Sequence, residues 1–186
     1  MEKHFFAGLG AAAFPSTMQD TAKPAIEAVS VFVDDSYRID STYAALIGDT
    51  VVQIPARLHF DRPPPAQLGL GEEEQLAADC LISRSTDGYL RQAALQRILD
   101  ASQPWAIPFI LVPAGEYVVE IAADLVASLP TLNRSVYTDF ARANRPLLRR
   151  LQSRAVSYWN CYYRDYSSKS RYPALVFLRE IESWAA

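Results

Sequence analysis

RPLLRRLQSRAVSYWNCYYRDY, residues 145–166, decides how the chain is read. Leu148, Leu151, Ala155, Tyr158, Tyr162 and Tyr166 recur at steps of three and four, so they line one face of a helix, which Trp159 widens. Pro146 falls where a helix tolerates it, in the first turn. The opposite face carries Arg150, Ser153, Arg154, Ser157, Asn160 and Arg164. The reading is a long amphipathic helix whose rings, Tyr158, Trp159 and Tyr162 among them, anchor it to a core and are mostly buried.

No acid stands four residues from Arg149, Arg150 or Arg154, so this helix does not neutralise itself. Between Arg134 and Arg171 there are nine basic residues and two acids, a balance of +7 in a chain whose net charge is −3. Two explanations fit. An acidic face elsewhere pairs with these arginines, or they meet a partner. Arg149, Arg150, Arg154, Arg164, Lys169 and Arg171 are the candidate contact residues. Arginine outnumbers lysine fifteen to three, and its planar fork matches carboxylate and phosphate alike. The acidic net charge favours a protein partner, or internal pairing, over nucleic acid or another polyanion.

Upstream, the same helical spacing recurs. GEEEQLAADCLISRS starts with acids that suit the positive end of a helix dipole. GYLRQAALQRILDA follows, with Asp87 or Thr86 as its cap. A helix is expected from about Gly115 to Ser128, then a short one in SVYTDFARAN, the long one, and a last one in YPALVFLREIESW. The first third is irregular. Residues 1–22 read as an arm, whose Phe5, Phe6 and Phe14 offer a contact for a second copy of the chain. AVSVFV reads as a short strand, DDSYRIDSTYAALIGD as turns with a short helix ending at Gly48, and TVVQIPARLHF as extended, with Pro55 excluding a central strand. The expected architecture is mainly α, a helical bundle or a short helical array, in a single domain spanning residues 23–186 with little strand.

Displacing the chain by 28 residues lays Tyr89–Leu90 on Tyr117–Val118 and Ala94 on Ala122. Stacked helix pairs repeat in this way. Asp87, Leu90, Arg91, Ala94 and Leu95 resemble the second helix of a HEAT-type repeat. That resemblance implies a scaffolding and partner-binding role, with Asp87 capping the helix and Arg91 reaching an acid or carbonyl of an adjacent unit. The second unit departs from it, with Gly115 at the Asp87 position and Val119 at the Arg91 position. QIPARLHF, GEYVVEIA and SYWNCYYR together resemble a bacterial family from which no activity carries over.

The motifs of catalysis are missing. The chain has two histidines, His4 and His59, and neither HExxH nor ExxH, so no catalytic residue and no metal ligand set is assigned. There is no GxSxG and no glycine-rich phosphate loop, and no cofactor is expected. Glu116, Glu120 and Asp124, at i, i+4 and i+8, read as one helix face that pairs with basic residues or holds a cation. Two cysteines, Cys80 and Cys161, do not make a disulfide framework and read as buried thiols. No apolar run approaches the ~18 residues of a spanning helix, so no membrane contact is expected. Glu2 beside Lys3, with two glycines in the first apolar run, argues against a secretory leader. The combined expectation is a cytoplasmic, non-catalytic interaction or scaffold protein, with nucleic-acid binding as the alternative.

Overall fold

A computed structural model describes residues 4–34, 36, 41–165 and 168–186. The fold is mainly helical, as the spacing of apolar residues predicts, with one small two-stranded sheet among the described residues. The chain divides into two compact units, Met1–Ile98 and Leu99–Ala186.

The first unit holds α1 (His4–Ala12), α2 (Gln19–Ser30), the strands β1 (Thr42–Ile47) and β2 (Thr50–Pro55), α3 (Glu72–Ile82) and α4 (Gly88–Ile98). Helix α1 packs on α2 and β2, α2 on α3, and α3 on α4. The stretch expected to be an arm is thus helical, and its expected end at residue 22 falls inside α2. Phe6 and Phe14, offered to a second copy, are buried. Gly10 lets α1 approach α2: a Cβ there would stand 3.0 Å from Ile26 Cγ1.

AVSVFV is not a strand. Ala22, Ala25, Ile26 and Val29 are buried at helical spacing, and α2 continues to Ser30. Pro24 lies inside that helix, removing one backbone donor, yet the buried stripe holds the helix together. The helix expected to end at Gly48 is instead a hairpin. Ile47 pairs with Thr50, and Gly48 takes φ +56° in the two-residue turn, at the first central position, where such turns favour glycine. Tyr43, Ala45, Val52 and Ile54 are buried on alternate positions, the strand period. Pro55 ends β2 opposite Thr42.

Asp79 on α3 meets Arg97 on α4, with Nη2 and Nε at 2.6 and 2.9 Å from Oδ1. Gln75 Nε2 donates to Oδ2 at 3.3 Å. The neighbouring thiol of Cys80 is held well above its ordinary pKa by burial and then by the Asp79 charge.

The second unit holds α5 (Ile107–Leu111), a 3₁₀ turn (Val112–Gly115), α6 (Val119–Ser128), α7 (Arg134–Ala143), α8 (Arg145–Tyr158) and α9 (Pro173–Trp184). Helix α9 is central, packing on α6, α7 and α8. Its Ala174, Phe177, Leu178 and Ile181 are buried. Pro108 and Pro113 shorten what the 28-residue displacement lays on α3 to the five residues of α5. The two aligned segments lie one in each unit.

Candidate functional site

Helix α8 buries Leu148, Leu151 and Ala155, as its spacing requires. Beyond Ala155 the same face leaves the core. Tyr158 and Trp159 are half-buried, while Tyr162 is 58 % exposed, which corrects the expectation that its ring is mostly buried. Tyr166 lies outside the described residues. From Trp159 to Tyr163 the backbone widens into a π-helical turn. Such a turn advances the chain less per residue than an α-helix, so it resets which side chains share a face.

The turn assembles a surface of tyrosines. Tyr158 stacks on Tyr162 at 6.3 Å between ring centroids, with planes 22° apart. Tyr117, 51 % exposed, closes on both, at 6.0 Å from Tyr158 and 6.3 Å from Tyr162. Tyr163 stacks on the buried Tyr172 at 5.2 Å and donates its hydroxyl to the Tyr117 carbonyl at 2.6 Å. Burial, and then the Glu120 charge, push the Tyr163 hydroxyl pKa up. Burial pushes that of Tyr172 up to about 12.

Arg154 fixes this surface from beneath. Its Nε donates to the Gly115 carbonyl at 3.1 Å and its Nη2 to the Tyr158 hydroxyl at 3.0 Å. The guanidinium carbon lies 5.5 Å from the centre of the Tyr158 ring, a cation–π contact. The two exposed rings therefore rest on a held scaffold.

The six basic residues expected to form one contact face do not converge. Arg154 belongs to the ring cluster. Arg164 approaches Asp165 at 3.7 Å, with both side chains mostly exposed, a pair of little energetic weight. Lys169 and Arg171 lie exposed on a 3₁₀ turn, Lys169–Arg171. Arg150 is exposed, and Arg149 lines a different concavity, against α9.

The acidic row does not form either. Glu116 precedes α6 in extended backbone and is buried, while Glu120 is exposed and Asp124 half-exposed. No group of three His, Cys, Asp or Glu side chains that could hold a metal ion occurs among the described residues. Cys161 is exposed, not buried, whereas Cys80 is buried.

In the first unit, Asp87 Oδ1 accepts from the backbone N–H groups of Tyr89 and Leu90 at 2.8 and 3.2 Å, and so caps α4. Arg91 is buried and its Nη1 reaches the Ser85 carbonyl at 2.7 Å and the Thr86 carbonyl at 3.4 Å. These carbonyls lie in the turn before its own helix, not on an adjacent unit. His59 Nδ1 stands 3.1 Å from Thr86 Oγ1 in the same corner.

No family model, curated protein or solved structure matches this chain. The HEAT-type and bacterial-family resemblances gain no support there, and any functional reading rests on the geometry alone. The ring most important to the surface after Tyr162 is Tyr117, which sequence reasoning missed. It stands 41 residues from Tyr158, and only the fold of the second unit brings the two together.

Proposed function

We propose that this chain is a non-catalytic, cytoplasmic interaction protein that holds a protein partner on the Tyr117–Tyr158–Tyr162 surface. The observation that carries this reading is the exposure of Tyr117 and Tyr162 on a base fixed by Arg154. Tyrosine and arginine are the residue types in which binding energy concentrates at protein interfaces. A ring already packed against its neighbours loses little freedom on binding, so its contact area converts to affinity with a small entropic cost.

A second reading, single-stranded nucleic acid stacking on these rings, is favoured by the exposed Lys169 and Arg171 nearby in sequence. The ring faces argue against it, because Tyr158 and Tyr162 stack on each other. Glu120 adds negative charge beside Tyr163 of the ring cluster, which disfavours a phosphate there.

Quantitative mass spectrometry of material co-purified from the native cell separates the readings. The intact chain is compared with a Tyr117→Ala/Tyr162→Ala variant of unchanged helical circular dichroism. A defined protein, stoichiometric with the chain and lost from the variant, is expected. Equal recovery with both forms contradicts the reading. Nucleic acid in place of a protein, released by physiological salt and lost from the variant, transfers the surface to the second reading.

A further inference from the structure

Helices α7, α8 and α9 enclose a concavity of about 250 Å³ with Ala141, Leu148 and Ala185 among its lining residues. Arg145 and Arg149 of α8 also line it, together with Glu182 of α9. The two arginines are one helical turn apart and therefore share a side of α8. Both are exposed, and neither guanidinium makes a hydrogen bond or ion pair among the described residues. Glu182, the acidic side chain that lines the pocket with them, instead accepts from Gln152 Nε2 at 2.8 Å.

Arg145 stands between two helix ends, just past the C-terminus of α7, whose dipole favours a cation. It is also the first residue of α8, where the helix dipole favours an acid and disfavours a positive charge. A pair of guanidinium forks in a pocket of mixed lining matches a carboxylate or phosphate oxygen set, with room beside them for a small apolar body.

We infer that this pocket binds a small organic anion, a carboxylate or phosphate group carried on a short aliphatic body. Arg145 and Arg149 hold the anionic head, and the short body lies over the closed floor formed by Leu148 and Ala185 and along the aliphatic stems of the two arginines. The pocket is smaller than those of drug-sized ligands, so the body is a few carbons long. This site uses none of the tyrosine rings and stands or falls independently of the proposed function.

The test is a two-dimensional NMR titration of the full chain at constant ionic strength with butyrate and butyl phosphate, using butanol and butylamine as controls. Either anion is expected to shift the Arg145 and Arg149 Nε–H signals and the Ala141 and Ala185 amides saturably, at roughly millimolar affinity for so small a ligand. The tighter of the two anions identifies the head group. Arg145→Gln/Arg149→Gln weakens binding by about tenfold or more, the loss of a charge-assisted contact. Glu182→Gln tightens it, because one negative charge leaves the wall. Absence of saturation overturns the inference, as does an equal response to butanol. So does unchanged affinity in the double variant, or in Arg145→Gln alone should the double variant lose its native spectrum.

Discussion

A methyl group at Gly115 would stand 2.8 Å from Leu151 Cδ2 and 3.4 Å from Leu151 Cα. Helix α8 crosses the 3₁₀ turn at that point, and Arg154, one turn further along, takes the Gly115 carbonyl. The lack of a side chain at Gly115 is what lets α8 approach closely enough to seat Arg154 under Tyr158. In the 28-residue alignment Gly115 takes the place of Asp87, and the two positions do unrelated work: Asp87 caps a helix, while Gly115 clears space for one.

Gly115→Ala is therefore expected to destabilise the protein by about 1–3 kcal/mol, the usual effect of overpacking. Trimming Leu151 in the same chain should recover part of that loss, giving a double-variant cost below the sum of the two singles. Chemical denaturation measures all three. Full additivity would mean that the two residues do not meet.

Asp87→Ala should cost about 1 kcal/mol through loss of the α4 cap. Asp87→Asn, which keeps an acceptor oxygen at the same position, should cost much less. Equal losses in the two variants would show that charge, and not capping, is what Asp87 supplies.

Helix α4 and its cap were legible because a capping residue, Asp87, and a buried stripe, Ala94, Leu95 and Ile98, sit close together in sequence. The same holds for α8 as far as Ala155. The reading failed where the deciding contact is distant or the local signal conflicts. The β-branched residues of AVSVFV suggested a strand, yet Ala22, Ala25, Ile26 and Val29 bury α2 at helical spacing. Thr42–Ile47 has the composition of either element, and only pairing with Thr50–Pro55 makes it a strand. Tyr162 kept helical spacing, but spacing cannot say where the core ends, and it ends before that ring. A π-helical turn has no pattern in the residues that form it.

Arg97→Ala would leave Asp79 buried without its cation. A cost of about 3 kcal/mol is expected, as for other broken buried pairs. Adding Asp79→Ala should cost little more, and thermodynamic coupling near zero in a double-mutant cycle would remove the Asp79–Arg97 pair from the account.

Tyr172 predicts a pH effect. Its hydroxyl is buried and finds no hydrogen-bond partner among the described residues, and burial raises its pKa to about 12, above the value near 10 of the unfolded chain. The folded state thus keeps its proton when the unfolded state has lost it. Stability from this group is complete below about pH 10 and is lost as pH rises toward 12. Tyr172→Phe should flatten that alkaline decline and leave neutral stability equal or higher, since an unpartnered buried hydroxyl is removed. A variant markedly less stable at neutral pH would show that the hydroxyl is bonded in solution.

The central claim is that the exposed rings around Tyr162 meet a protein. Placing a photoreactive phenylalanine analogue at position 162 and irradiating living cells tests it most directly, with Glu73, exposed in the first unit, as the control position. A discrete protein adduct is predicted at 162, absent at 73 and lost when Tyr117→Ala is added to a chain that remains folded. Adducts of equal pattern from both positions, or none from 162, would contradict the account.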